Sequence, residues 1–486
     1  MLTYSFEDRG DEPLYEYLYI QIKNDIKDNT IKQGDKLPSK RALAKHLDIS
    51  TITVENAYSQ LVAEGYIYSV PRSGFYVNEI ALDDFGIGYD ESVDKKLEPY
   101  KTNTSEDKID KFDKSIEIMQ EKPKEYFIDF VSNSTLADNF PFSIWSKLMR
   151  ETMSKRKNEL MTKSPSTGVY ELRSAIVDYL YEFRGMEVSP EQIVVGAGTE
   201  YLYGLIIQLL GYDKKYAVED PGYQKVSHIY HANNVECVHI PLDDEGINIE
   251  SLSKSGADIL HITPSHHFPT GLVTPINRRI ELLTWASESD TRYIIEDDYD
   301  SEFRLKGRPI PAFQSIDKSE KVIYINTFSK TLTSTIRISY MVLPKSLIKK
   351  YSNELGFYAC TVSNFEQYTL ARFIKEGYFE KHINRMRTYY KNIRNEILDC
   401  IKRHVSKNKV NIMEENAGLH FLLEVETDLT DKEIVDKGED ESINLSCLSE
   451  YYYDKTRAKN HTLVINYSGV EEDNIEKGVE KLFEIF

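Results

Sequence analysis

Three short runs in this sequence carry side chains that could do chemistry together. In Thr327-Phe328-Ser329-Lys330 a lysine follows two hydroxyl residues. A lysine amine can condense with a carbonyl cofactor, and neighbouring hydroxyls can hold a phosphate. A lone lysine is more often a solvated surface residue. Seven residues on, Arg337 could grip a phosphate bidentately. In Asp297-Asp298-Tyr299-Asp300 the carboxylates could bind a metal, pair with a pyridinium or cap a helix, and the bland alternative is a solvated loop. In Gly196-Ala197-Gly198-Thr199 small residues precede a helical stretch, where free backbone N–H groups can meet an anion. Such turns are also common without a ligand. Pyridoxal phosphate needs all of these at once: an amine, phosphate donors with an arginine, a carboxylate for the ring nitrogen and a donor for the phenolate oxygen.

The elements that must position these runs alternate. Short β-branched or apolar runs at 192–195, 216–219, 235–240, 258–263, 292–296, 321–326 and 337–343 are separated by helical stretches such as 201–210 and 277–287. That alternation predicts a largely parallel α/β sheet, whose ligands sit beyond the carboxyl ends of the strands. After about residue 345 the helices lengthen, and strands at 416–426 and 462–467 predict a smaller α+β part. The expected division is a large part from 126 to about 344 and a small part from about 345 to 486.

Residues 11–78 read as a separate unit. Leu14, Leu18, Ile22 and Ile26 make one helical stripe. Ser39 sits at an N-cap position before a short helix with Leu43 and Leu47 on its buried side, and Ser50 or Thr51 caps a third. Val54, Tyr58, Leu61 and Val62 supply the third helix's apolar face, Gly65 ends it, and residues 66–77 form a hairpin. Three helices with a tight turn before the third, then a hairpin, predict a winged helix-turn-helix. Residues 79–125 are rich in Asp, Glu, Lys, Asn and Ser and read as a solvated linker, with a short helix conceivable at 109–119.

The net charge of −19 rules out nucleic-acid binding through the overall field, so contact must come from placement. Residues 1–80 carry nine lysines and arginines against twelve acids. Lys40, Arg41 and Lys45 flank the second helix, Arg72 sits in the hairpin turn, and Ser50, Thr51, Thr53 and Asn56 lie on the polar side of the third. Such groups suit phosphates and base edges of a double-stranded DNA operator. A winged helix of so little charge gains useful affinity in two copies, so a homodimer is expected. Four scattered cysteines exclude a disulfide scaffold and a zinc ribbon, and no metal site is expected. No apolar run spans a bilayer and the first residues lack a secretory signal, so no membrane association and a cytoplasmic location are expected.

The runs G-A-G-T-E-Y-L, V-E-D-P-G-Y, T-P-S-H-H-F-P-T-G, Y-I-I-E-D-D-Y-D-S-E-F and T-F-S-K-T-L-T-S-T-I-R resemble those of the MocR/GabR group, GntR-type regulators fused to a fold-type I aminotransferase-like domain. The segments G-D-K-L-P-S-K-R-A-L-A-K-H-L and I-S-T-I-T-V-E-N-A-Y-S-Q-L-V-A-E-G-Y resemble a GntR winged helix. The resemblance covers roughly residues 11–78 and 126–486. It implies that Lys330 forms the internal aldimine, Asp297 faces the pyridine nitrogen, Tyr299 meets the ring's 3-oxygen with His266 nearby, and Tyr223 lies near the ring. It implies that Gly198, Thr199, Thr327, Ser329 and Arg337 hold the phosphate. It also implies a dimer of aminotransferase-like domains, each winged helix reaching over the partner. The sequence departs from the pattern at Lys225, where some amine-sensing members carry Arg, and at Thr51, where Arg is frequent. Phe268 stands where ordinary aminotransferases carry Asn, and no arginine lies in 462–467, Arg457 being a distant candidate for the carboxylate clamp. The expected function is a transcriptional regulator that senses pyridoxal phosphate or an amino compound. The alternatives are an active aminotransferase with an accessory DNA-binding module, and a DNA-binding protein that uses the second domain as a scaffold.

Overall fold

The computed structural model describes residues 2–4, 6, 13–28, 30–71, 73–78, 124–305, 307, 310–404, 410–414 and 418–486. Arg72, the 109–119 stretch and nearly all of the expected linker lie outside the described residues.

The N-terminal unit has helices α1 (Leu14–Lys27), α2 (Lys40–His46) and α3 (Thr51–Ala63), then the antiparallel pair β1 (Ile67–Val70) and β2 (Gly74–Val77). Leu18, Ile22 and Ile26 of α1 pack against Val54, Ala57, Tyr58 and Leu61 of α3, with Leu43 between them. Fully burying an aliphatic side chain of this kind contributes roughly 1.5–3 kcal/mol. The Ser39 and Ser50 hydroxyls cap α2 and α3, accepting from the backbone N–H groups of Ala42 (3.2 Å) and Thr53 (3.0 Å). Val62 departs from expectation: it is exposed. Eight residues from Val54, it sits about 80° off the stripe's axis at 100° per residue. Gln60 and Glu64 are buried instead, because that side of α3 docks on the large domain of the same chain. The Ile276 N–H donates to the Glu64 carbonyl (3.3 Å). Glu64 also accepts from the Tyr19 hydroxyl (2.6 Å) and pairs with Lys23 (2.7 Å). Gly65, at φ +76°, ends α3, and a Cβ there would lie 3.1 Å from the Ile276 nitrogen and 3.2 Å from the Pro275 Cβ.

The large domain is built on β4 (Ile193–Gly196), β5 (Lys215–Asp220), β6 (Glu236–Asp243), β7 (Gly246–Ile247), β8 (Ile259–Ile262), β9 (Tyr293–Asp297), β10 (Val322–Thr327) and β11 (Ser339–Val342). Their order is β4-β11-β10-β9-β8-β5-β6-β7, parallel from β10 through β6. β11 runs antiparallel to both neighbours, so its start lies at the edge where β4 and β10 end. Ser339 pairs with both Gly196 and Thr327. This reversal brings Arg337 to the glycine turn and to the Lys330 run.

The smaller domain holds β12 (Val410–Met413), β13 (His420–Val425) and β15 (Thr462–Asn466) in an antiparallel sheet. The parallel pair of β3 (Ile128–Asp129) with β14 (Ile443–Asn444) joins it, and Ile128 and Phe130 enter its core. The helices Lys345–Glu354 and Asn364–Lys375 pack into cores of the large sheet. Packing therefore does not divide the chain at 345: the small domain takes residues from both sides of the large one. Among the described residues no helix is long and apolar enough to cross a membrane.

Candidate cofactor site and nucleic-acid interface

Lys330 lies in the short helix Phe328–Thr331 that follows β10, and Asp297 is the last residue of β9. Burial pushes the Lys330 ammonium down to about 8, with Asp300 and Asp297 opposing the shift. Asp297 is anchored on one side only. Its Oδ2 accepts a short hydrogen bond from the Tyr203 hydroxyl and lies 3.5 Å from His261 Nε2. Its Oδ1 is buried with no partner among the described residues. A buried carboxylate oxygen without a donor costs free energy, and a pyridinium N–H would satisfy it.

Tyr299 and Asp300 converge on one ring. His266 Nδ1 lies 2.9 Å from Asp300 Oδ2 and 3.2 Å from the Tyr299 hydroxyl. Burial raises the Tyr299 phenol well above its ordinary range, and Asp300 and Asp297 add to the rise, so it stays a neutral donor. Gly418 permits this arrangement, since a Cβ there would overlap His266 at 1.8 Å.

The anion cradle forms where β4 meets the helix Thr199–Leu210. Gly198 occupies that helix's N-cap at φ +92°, and a Cβ there would lie 2.6 Å from an Arg337 nitrogen. Arg337 itself stands at φ +50°, a left-handed conformation that costs a non-glycine residue of order 1 kcal/mol and clusters at functional sites. Its Nη2 donates to Glu200 (3.1 Å), and Glu200 also pairs closely with Lys225. The Lys225 hydrogen bond, then both cations' charges, hold the Glu200 carboxyl below the usual range despite partial burial. Thr199 is the first residue of its helix, and Ser329 the second residue of the helix Phe328–Thr331. The Thr327 hydroxyl is used inward: its oxygen accepts from the Ser329 N–H (3.1 Å) and the Ser339 hydroxyl (2.8 Å). Thr327 thus shapes the cradle by capping the lysine's helix rather than by presenting a free hydroxyl.

Tyr223 opens the helix Gln224–Ala232, half-exposed, with its ring 6.0 Å from Phe268. Sequence reasoning missed Tyr203, His261, His420 and Glu219. The Glu219 carboxyl, buried beside His267 (3.5 Å), accepts from Thr263 N (3.0 Å) and Oγ1 (2.8 Å) and is pushed up to about 8 by burial. Only the Glu219 position lay inside a quoted motif.

On the winged helix, Arg41 and Lys45 are exposed and make no ion pair among the described residues, whereas Lys40 pairs with Glu55 (2.7 Å). Thr51 and Asn56 are exposed on α3. Ser50 and Thr53 are less available, because their hydroxyls bond each other (2.8 Å). Ile52 is 68% exposed on the same face and was not anticipated. Replacing Arg41 by alanine is expected to weaken operator binding about tenfold and flatten its salt dependence by roughly one counterion. A gel-shift titration with unchanged affinity and salt slope would remove Arg41 from the interface.

These two parts define a class: a winged-helix DNA-binding unit joined to the fold of pyridoxal-phosphate-dependent aminotransferases, whose strand-end residues fit that cofactor. Residues 14–77 match the family model described as bacterial regulatory proteins, gntR family, and residues 127–482 match aminotransferase class I and II. The chain belongs to the MocR/GabR subfamily of GntR-type transcriptional regulators. It is 39% identical to the HTH-type transcriptional regulator YdeL of Bacillus subtilis over 97% of this chain and 96% of that one. It is 29% identical to the probable rhizopine catabolism regulatory protein MocR of Rhizobium meliloti over 98% and 94%. An archaeal alanine:glyoxylate aminotransferase structure superposes with a TM-score of 0.66 at 22% identity, covering 75% of this chain and 91% of that one.

Proposed function

We propose that this regulator attaches pyridoxal phosphate at Lys330 and changes its grip on DNA when the cofactor, or an amine reacting with it, arrives. The observation that carries this reading is the buried Lys330 amine beside Asp297, whose Oδ1 lacks a donor. When bound, the cofactor supplies an aldehyde that amines capture reversibly and a visible chromophore. Asp297 would hold a proton on the ring nitrogen, with Tyr203 and His261 fixing its other oxygen. Tyr299 would donate to the 3-oxygen, oriented by His266. Arg337, Gly198, Thr199 and Ser329 would hold the phosphate, with Glu200 giving up its bond to Arg337. Two copies would present Arg41, Lys45, Thr51, Asn56 and Ile52 to a repeated operator.

Footprinting with and without pyridoxal phosphate and candidate amines tests the regulatory reading. Changed operator occupancy is expected, and occupancy that never responds would sink it. Attachment needs the neutral form of Lys330. With its titration near 8, the capture rate should rise about tenfold between pH 6 and 7 and level off above about pH 9. A stopped-flow absorbance profile flat from pH 6 to 9 would contradict the buried-amine account.

A further inference from the structure

We propose that the ligand-facing wall beside Lys330 selects an amine with an apolar or aromatic body and no carboxylate group. This rests on the reading of Lys330 as the cofactor lysine.

The wall is aromatic. Phe268 stands at its centre, 6.0 Å from the Tyr223 ring, 5.2 Å from His420 and 5.1 Å from Tyr451. It is continuous with the cofactor site, because the His420 ring lies 4.6 Å from His266, which holds Tyr299 and Asp300. Burial, then His266, keeps His420 well below its ordinary range, so this imidazole brings no positive charge at neutral pH. Behind Phe268 and Tyr451 the support is hydrocarbon: Val464 of β15 packs with Leu422, Leu448 and Tyr452. The strand from which a carboxylate-binding arginine is missing is therefore filled with apolar contacts, not with another cation.

Two cations near this wall, Lys225 and Lys455, are already engaged. Lys225 pairs with Glu200, and Lys455 donates to the Ser449 and Glu450 carbonyls at 3.0 Å each. An incoming carboxylate would lose its water against these aromatic faces and the neutral His420 ring. Burying an unpaired charge in that setting is strongly unfavourable. An ammonium meets better conditions, because aromatic faces attract a cation.

Calorimetry on the full chain loaded with pyridoxal phosphate tests this, using 2-phenylethylamine and phenylalanine, two ligands that differ only by the carboxylate. The amine is expected to bind roughly tenfold or more tighter. Phe268→Ala should weaken the amine by about tenfold and remove most of the difference. Phenylalanine binding as tightly as the amine, no heat from either ligand, or an unchanged preference in Phe268→Ala would overturn the inference while leaving the cofactor assignment standing. Loaded protein with no visible absorption band would instead overturn the Lys330 reading, and this inference with it.

Discussion

Lys330→Ala is expected to abolish covalent capture of pyridoxal phosphate, with the hydride-trapped label at position 330 falling to background. Burial pushes the Lys330 amine down, with Asp300 and Asp297 opposing the shift, so it lies within reach of both carboxylates' charge. Its helix is fixed at the β10 edge by the Thr327 cap. The cradle at Gly198 and Arg337 remains in the variant, and so does Asp297. Residual non-covalent binding is therefore expected, weaker by about a hundredfold, near 2.7 kcal/mol. Borohydride reduction followed by peptide mass spectrometry reads the first effect, and equilibrium dialysis reads the second. A trapped adduct that persists on the alanine variant would mean that another lysine is the attachment point.

Asp298→Ala should be the most destabilising single change near the site. Asp298 and Arg184 pair at 2.8 Å with both side chains 1% exposed. Asp298 Oδ2 also accepts from the Tyr324 hydroxyl at 2.6 Å. Arg184 would be left with the Ile310 carbonyl and the Ser265 hydroxyl, neither of which carries charge. Glu296 and Glu302 lie in the same pocket, but burial, then repulsion from Asp298, pushes each up to about 7. Removing Asp298 would relieve that repulsion and return part of the missing negative charge. A loss of about 3–5 kcal/mol is characteristic of breaking a buried ion pair from one side, and this compensation favours the lower end. Urea unfolding of the cofactor-free protein gives the value, and a loss below about 1 kcal/mol would mean that the pair is not isolated from solvent. Because Asp298 stands between Asp297 and Tyr299, cofactor affinity should fall with it.

The placement of candidate residues at strand ends was legible: Gly198, Asp297, Tyr299, Lys330 and Arg337 each follow or precede a run whose β character is plain. Residues that act through another residue were not. Tyr203 sits one helical turn beyond Thr199 among apolar neighbours, and His261 is inside a buried strand, so both read as core. Their role appears only when β8 and β9 lie side by side, pairing His261 with Ile295. Ser50, Thr53 and Thr327 were legible as hydroxyls at the right places, but local capping had first claim on their oxygens. Gln60 and Glu64 look like the solvent face of α3, and no periodicity reveals that a second domain covers that face. The winged helix was readable from its own pattern, while the docking between the two units was not.

The tight seat of Gly65 against Pro275 and Ile276 has a mechanical consequence. Ile276 begins a 12-residue helix of the large domain, and Gly65 closes the 13-residue helix α3. The two are joined end to end with no room for a cushioning side chain. The free tip of α3 lies about 20 Å from this pivot, so a tilt of about 5° there sweeps the tip by nearly 2 Å. That displacement is comparable to the difference between a formed and a broken hydrogen bond at a base edge. A small movement in the catalytic-type scaffold would be magnified, like the motion of a pointer, at the residues that read the groove.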